Sequence, residues 1–276
     1  MSRLRASLAV LTATVIWALT FPLVKAALPF ISPLAFNAIR FVAAVPFIIP
    51  ALRRATREEW RAGLVLGGLI AAGFAVQNVG LQYTTPSRAA FLTSLYVPLT
   101  PVMGFLLWGE RPGWRGLGGV GLAAAGLALL TRPEVGAGGF NLGDLMIVAC
   151  AVAFSLQLVS VTRYSRRFDL RRLLALQIAG AALLSAAILP LERASVTWTP
   201  FVFFALGVEV FGATLLCLRL QLIGQRELTS SQAAIIYAFE PVVAAAASAF
   251  FLGDHLTMAQ GAGGVLILAG MLLSNK

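Results

Sequence analysis

The chain has 276 residues, of which 59% are hydrophobic and only 12% are charged, and its mean hydropathy is +0.88. An average soluble domain is about 25% charged, and the single core of a soluble domain stops growing near this length. The composition therefore excludes a soluble enzyme, a secreted globular domain and a disordered chain, and it indicates a membrane protein with several spans.

Ten predicted helices follow one another along the chain. A transmembrane helix needs about 20 apolar residues, and ten segments meet this requirement without the alternation that is typical of a barrel strand. They are residues 6–25, 32–52, 62–82, 86–108, 114–131, 141–162, 171–190, 199–221, 228–252 and 257–274. The first segment has no clear small-residue cleavage site, so we expect a retained span and not a signal peptide. We predict an all-α membrane protein with ten transmembrane helices.

The net charge of +10 is distributed as topology signals are, singly or in short clusters between apolar runs, and not as a patch that binds nucleic acid. If the N-terminus is cytoplasmic, 16 of the 21 basic residues lie on the inner side and Arg40 lies within the second span. The outer side then holds four, namely Lys25, Arg88, Arg132 and Arg193. We expect a multi-pass protein of the cytoplasmic (inner) membrane with both termini in the cytoplasm.

An internal repeat relates the two halves. An offset of 144 residues pairs Gln77 with Gln221 and continues across three predicted helices. Its other matches include Gly63 with Gly207, Gly80 with Gly224, Ser87 with Ser231, and Gly126 with Gly270. We predict two five-helix repeats, residues 1–135 and 136–276. Because five is odd, the second repeat enters from the opposite side of the membrane, as in carriers that alternate around a midplane site. A duplicated bundle without a passage is the alternative.

Four stretches carry a family resemblance, namely "ATVIWALTFPLVK", "FNAIRF", "GLQYTTPSRAAFLTSLYVPLTP" and "SSQAAIIYAFEPVVAAAASAFFLGDH". Together with the ten spans they resemble the drug/metabolite transporter superfamily, EamA type, over essentially the whole chain. Within it the chain is most similar to the YddG-like exporters of aromatic amino acids and other metabolites. The resemblance implies transport through a central cavity without ATP hydrolysis. The first half departs from the pattern, since Val97-Pro98 occupies the register of Glu240-Pro241 with the proline displaced by one residue.

Motifs for enzymatic chemistry or ATP binding are missing from the sequence. No GxxxxGK[ST] loop is present, and no His or Cys cluster has metal-ligand spacing. The single histidine, His255, lies next to Asp254 in a predicted outer loop. We therefore expect no enzyme activity, cofactor, metal, nucleic acid or ATPase subunit, and we expect the protein to work as a monomer.

Polar residues within the fourth and ninth spans are candidate cavity residues. Thr93, Tyr96 and Thr100 share one face of the fourth span by helical spacing. Tyr237 and Glu240 are repeat mates of two of them in the ninth span. Predicted kinks or hinges accompany Pro98, Pro101 and Pro241. The alternative is that the tyrosines are hydrogen-bonded packing residues.

Charges within spans are costly and need a partner or a function. Glu240 is a candidate for binding a substrate ammonium or a proton, and a structural partner for Arg40 or for the proline kink is the alternative. We interpret Glu209 mainly as a packing or water contact and Arg40 as a paired or snorkelling residue.

Amides and aromatic side chains complete the predicted cavity. Gln77, Gln157 and Gln221 could hydrogen-bond a carboxylate and an amine, while Trp17 and Phe154 could form apolar walls. Helix–helix packing is the alternative for each. We predict export of small organic metabolites, foremost aromatic or other hydrophobic amino acids, by alternating access, with uncoupled facilitation as one mode. Proton-coupled efflux of cationic drugs or polyamines is the second candidate, and a non-transporting membrane protein, either a scaffold or a membrane enzyme, is the third.

Overall fold

The fold is helical throughout the described residues, which are 2–53, 55–135, 141–243 and 258–274 of a computed structural model. Within these ranges the only extended pairing is an isolated bridge between Ile31 and Val196. The all-α prediction is confirmed for this part of the chain. The helices are α1 (Arg3–Ala27), α2 (Pro33–Ala44), α3 (Ile49–Leu52), α4 (Arg57–Leu81), α5 (Pro86–Thr93), α6 (Tyr96–Trp108), α7 (Trp114–Val135), α8 (Leu142–Arg167), α9 (Leu170–Ile188), α10 (Pro200–Gly207), α11 (Cys217–Gln225), α12 (Ser230–Tyr237) and α13 (Met258–Ser274).

Long apolar helices identify a multi-pass membrane protein. Among the described residues, six stretches have the length and composition to cross a membrane: Arg3–Ala27, Arg57–Leu81, Arg88–Trp108, Leu142–Arg167, Leu170–Leu191 and Pro200–Gln225. Three shorter apolar helices are Pro33–Phe47, Trp114–Leu129 and Gly261–Leu273. These nine stretches coincide with nine of the predicted spans. The predicted span 228–252 contains α12 and is described only to residue 243.

Polar residues mark where several helices begin. Thr56 and Glu59 form a capping box at α4, in which the threonine side chain accepts from the Glu59 amide and the glutamate accepts from the Thr56 amide. Asn141 and Asp144 form the same arrangement at α8. Such boxes satisfy amides that have no partner within the helix. The Asp144 carboxylate also pairs with Arg88 at 2.6 Å, so it joins the beginning of α8 to α5.

Prolines interrupt two helices at positions that differ by one residue in the repeat alignment. A proline ring clashes with the carbonyl four residues before it. In accordance with this, α5 ends at Thr93 ahead of Pro98, and α12 ends at Tyr237 ahead of Pro241. Pro101 behaves differently, because it lies inside the continuous helix α6.

A π-helical segment, Val208–Leu216, joins α10 to α11 and was not predicted. The wider π register offers a changed set of backbone carbonyls for hydrogen bonding, and such segments are frequent at functional sites. One of these carbonyls, that of Ala213, accepts a hydrogen bond from Trp17 Nε1 at 2.9 Å. This hydrogen bond therefore links α1 to the middle of the eighth predicted span.

Close helix contacts depend on glycine. The helix α7 packs along α13, and α4 packs along α8 and α9. A side chain at Gly126 would collide with the Gly263 carbonyl, and one at Gly63 would collide with Leu176. Small residues let helix backbones approach in this way, which allows dispersion contacts to hold them together where burial from water cannot.

Candidate substrate cavity

A cavity lies between the broken helices at the centre of the bundle. It contains about 670 Å³ of empty space, part of which is open to solvent. Its walls come from α1, α2, α4, α8, the π-helical segment, α11 and the two helix breaks. The lining side chains are Trp17, Thr20, Phe21, Val24, Arg40, Ile70, Phe74, Gln77, Asn78, Leu81, Thr93, Tyr96, Phe154, Gln157, Leu158, Glu209, Gln221, Tyr237 and Glu240.

Nine of the ten predicted cavity residues line this one space. They are Trp17, Gln77, Thr93, Tyr96, Phe154, Gln157, Gln221, Tyr237 and Glu240. Thr100 is not among the lining residues, since its hydroxyl is buried and donates to the Tyr96 carbonyl at 2.7 Å. Pro98, Pro101 and Pro241 also stand outside the lining.

Aromatic rings form two clusters in the cavity wall. The Tyr237 ring lies 5.6 Å from the Trp17 ring and 6.2 Å from the Tyr96 ring, between centroids. On the other side, the Phe74 and Phe154 rings meet edge to face at 5.1 Å. Both clusters have the separations that aromatic pairs prefer, so they form firm apolar surfaces.

Amide side chains provide neutral polar groups in the same wall. Gln157 and Gln221 form reciprocal hydrogen bonds of 3.0 and 3.2 Å. Gln77 donates to the Thr93 hydroxyl at 3.1 Å. Each amide has four hydrogen-bonding positions, so these contacts leave further donors and acceptors for a ligand. The Asn78 Nδ2 group has no hydrogen-bond partner in the described structure.

A buried ion pair joins Arg40 to Glu209 at 2.7 Å, with both side chains at most 2% exposed. The Arg40 Nε group donates to the Thr214 hydroxyl at 2.7 Å, and the guanidinium lies 4.1 Å from the centre of the Phe74 ring. The structure therefore assigns Glu209, and not Glu240, as the partner of Arg40. The interpretation of Glu209 as a packing or water contact was wrong, because the wide π turn brings both Glu209 and Thr214 to the guanidinium.

Glu240 has no basic partner in the described part of the chain, although it is only 5% exposed. Its carboxyl adjoins the Tyr96 hydroxyl, and its charge acts on Tyr237 as well. Neither tyrosine hydroxyl has a hydrogen-bond partner of good geometry. The carboxyl thus stands at the cavity wall among aromatic rings.

Sequence reasoning missed several lining residues. Most are apolar, namely Phe21, Val24, Ile70, Phe74, Leu81 and Leu158. Nothing in a uniformly apolar helix distinguishes these positions from lipid-facing ones. Asn78 and Thr20 were detectable as polar residues within spans, and Asn78 directly follows Gln77.

No group of three potential metal ligands occurs among the residues that were placed. The predicted pair Asp254 and His255 lies outside the described residues. No lining residue other than the carboxylates and the guanidinium carries a formal charge at neutral pH.

A helical membrane protein with a polar cavity inside its bundle has the architecture of a solute carrier. The chain belongs to the EamA-like transporter family, whose profile matches residues 4–132 and again residues 141–276. A solved crystal structure has the same fold with a TM-score of 0.79, covering 99% of this chain and 96% of that one at 23% identity.

Relatives that match this chain over nearly their whole lengths are named as transporters or as an efflux pump. An uncharacterized transporter of Archaeoglobus fulgidus is 34% identical over 98% of this chain and 86% of its own length. The transporter YvbV of Bacillus subtilis is 29% identical over 95% of this chain and 88% of its own. A Salmonella typhimurium protein named "Probable amino-acid metabolite efflux pump" is 26% identical over 99% and 95%. The chain is a membrane transporter and not an enzyme.

Proposed function

We propose that the protein exports small organic metabolites, foremost aromatic or other hydrophobic amino acids, across the cytoplasmic membrane by alternating access. The observation that carries this proposal is the central cavity, which combines aromatic walls, free amide groups and a carboxyl that has no basic partner within the described ranges. The name of the Salmonella relative agrees with amino-acid substrates. YddG-like specificity is part of the same proposal.

Paired contacts support an inverted repeat of residues 1–135 and 136–276. Gly80 of α4 abuts Ile147 of α8, and Gly224 of α11 abuts Val10 of α1. The two glycines are related by the offset of 144, and Val10 and Ile147 by a second, weaker offset of 137 that aligns the first two helices of each half. Each repeat thus places its third helix against the first helix of the other, as expected for two interlocked halves.

The contact between α7 and α13 has the same internal symmetry. Gly126 faces the Gly263 carbonyl, while Gly270 faces the Gly119 carbonyl. The offset of 144 relates Gly126 to Gly270 and Gly119 to Gly263, so it converts the first contact into the second. A contact that maps onto itself in this way favours a pseudo-twofold axis through the helix pair, which an inverted repeat requires.

Two cationic side chains are candidates for gates at opposite ends of the cavity. Lys25, at the end of α1, donates to the Thr84 carbonyl at 3.1 Å. Arg166, at the end of α8, donates to the Leu228 carbonyl at 2.7 Å. Thr84 and Leu228 are again 144 positions apart. In alternating access one of these two contacts would open while the other holds, with the breaks near Pro98 and Pro241 as hinges.

In this mechanism a hydrophobic side chain would lie against Trp17 and Phe154, and the amides of Gln77, Gln157 and Gln221 would bind the polar end. The described helices of this chain surround the cavity, and we propose a monomer without an ATPase partner. A proton-coupled exporter of cationic drugs or polyamines is the second candidate, because Glu240 has no basic partner among the residues that the structure describes.

Flux in proteoliposomes that contain only this protein tests the proposal. We expect saturable efflux of radiolabelled phenylalanine, competed by other hydrophobic amino acids and reduced at least tenfold by Trp17→Ala. The variant Trp198→Ala is a matched control, because Trp198 is 52% exposed and is not among the cavity-lining residues. Flux equal to that of protein-free liposomes over a broad panel of metabolites would refute transport. Comparing efflux with and without a pH gradient separates the two candidates, since only the second needs the gradient.

A further inference from the structure

The charges in the cavity wall do not balance. Among the described lining residues, the acidic and basic side chains are Arg40, Glu209 and Glu240, and Arg40 is already paired with Glu209 at 2.7 Å. Ionised Glu240 therefore leaves the cavity with an excess negative charge. A ligand that brings one positive charge would cancel it, whereas a ligand with no net charge would not.

The surroundings of Glu240 are those of a cation site. The Tyr237 ring stands between those of Trp17 and Tyr96, at 5.6 and 6.2 Å. Aromatic faces attract ammonium groups through the ring quadrupole, and they do so most strongly where water is excluded. Tyr96 and Tyr237 are only 4% and 2% exposed.

Three oxygen acceptors converge on this end of the cavity. They are the Glu240 carboxylate and the hydroxyls of Tyr96 and Tyr237; the Tyr96 hydroxyl adjoins the carboxylate, and neither hydroxyl has a hydrogen-bond partner of good geometry. Buried polar groups are normally satisfied, so hydroxyls without a well-formed hydrogen bond in a cavity wall are available to a ligand. A primary ammonium carries three N–H donors, which matches the number of acceptors.

A ligand carboxylate finds weaker recognition. The Nε and Nη1 groups of Arg40 are engaged by Thr214 and Glu209, and its charge is compensated. The Nη2 group of Arg40 has no hydrogen-bond partner and is the remaining charged donor, while the other free donors are neutral amides such as that of Asn78. Coulomb repulsion from an ionised Glu240 also opposes the binding of a ligand carboxylate in the same cavity.

We propose that the Glu240, Tyr96, Tyr237 and Trp17 side chains form a binding site for an organic ammonium ion, so that a hydrophobic primary amine without a carboxylate binds more tightly than the amino acid with the same side chain. The proposal rests on the proposed function in that it places the ligand in the transport cavity. It extends the substrates from amino acids to arylalkylamines.

Three ligands that share one aromatic ring test this preference. They are β-phenylethylamine, phenylalanine and N-acetyl-β-phenylethylamine, which has no charge. Binding is measured with the whole chain in nanodiscs at pH 7, by competition against radiolabelled β-phenylethylamine. We expect the amine to bind at least tenfold more tightly than phenylalanine and at least a hundredfold more tightly than the acetylated amide. If the wild-type protein binds the three ligands with equal affinity, the proposal is overturned.

Variants then locate the site. We expect Glu240→Gln to weaken the amine at least tenfold and to leave the acetylated amide within twofold, and Tyr237→Phe to weaken the amine about threefold. Glu58→Gln is the matched control, since it makes the same chemical change at an ion pair that is 64% exposed on the Glu58 side. If Glu240→Gln binds the amine with wild-type affinity, the proposal is also overturned. The melting temperature of each variant shows whether it is folded.

The outcomes separate this site from the proposed function. Phenylalanine flux without any preference for the amine in binding would reject the ammonium site and leave transport standing. Preferential amine binding without flux of any solute would support the ammonium site and reject the proposed transport.

Discussion

The Arg40–Glu209 pair allows a quantitative test, because the chain also contains a surface pair with nearly the same geometry. The buried pair spans 2.7 Å with side chains 2% and 1% exposed. The Arg167–Glu58 pair spans 2.6 Å with side chains 63% and 64% exposed. Glu209→Gln and Glu58→Gln therefore remove the same charge at the same distance, and they differ mainly in burial.

Burial determines the expected magnitudes. Removing one partner of a buried pair leaves a charge that water cannot reach, and this destabilises proteins by about 3–5 kcal/mol. An exposed pair contributes at most about 1 kcal/mol, because water already solvates both ions. We expect Glu209→Gln to lower the free energy of unfolding by an amount in the first range and Glu58→Gln by an amount in the second. Replacing both members, as in Arg40→Met with Glu209→Met, should restore most of the loss, since an apolar pair leaves no uncompensated charge.

Equilibrium unfolding in mixed micelles, followed by tryptophan fluorescence, gives these free energies. The single replacements Arg40→Met and Glu209→Met complete the double-mutant cycle, whose coupling energy isolates the pair. If Glu209→Gln costs no more than Glu58→Gln, or if the double replacement is as unstable as the sum of the single ones, the assignment of a tightly coupled buried pair is wrong.

Three further predictions concern packing and gating. Gly126→Leu would force α7 away from the Gly263 carbonyl, and we expect a loss of at least about 2 kcal/mol in the same unfolding assay, against little change for the open position Gly121. Trp17→Phe keeps an aromatic wall but removes the Nε1 bond to Ala213, so stability should fall by about 1 kcal/mol, as measured by melting in nanodiscs. Lys25→Met and Arg166→Met should raise reagent access, from opposite membrane faces, to a cysteine introduced at the lining position Thr20. Access from the same face in both variants would contradict the inverted arrangement.

Local features of the fold were predictable from the sequence, because they depend on neighbours in the chain. Apolar runs predicted the helical stretches, and the Asn141–Asp144 spacing agrees with the capping box at α8. The breaks ahead of Pro98 and Pro241 follow from the clash of a proline ring with the preceding turn. Pro101 shows the limit of this reasoning, since α6 continues through it.

The partner of Arg40 illustrates what the sequence could not decide. Glu209 and Glu240 were both acidic residues within predicted spans, and hydropathy does not distinguish between them. The outcome depended on the π-helical segment, whose register presents Glu209 and Thr214 together to the guanidinium. No residue pattern in Val208–Leu216 predicts the π-helical register, because a π turn is stabilised by the contacts that it makes with other helices.

The amino-acid sequence by itself determined that the chain lies in a membrane, where its helices run and where prolines interrupt them. Each of these properties follows from transfer of a short segment into lipid or from backbone sterics within a few residues. Only the tertiary structure decided which charges are paired, which polar groups keep free hydrogen-bonding positions and which apolar side chains face the cavity. Those properties depend on packing between helices that are a hundred residues or more apart in the sequence. Where the helices are apolar on every face, no local sequence pattern specifies that packing.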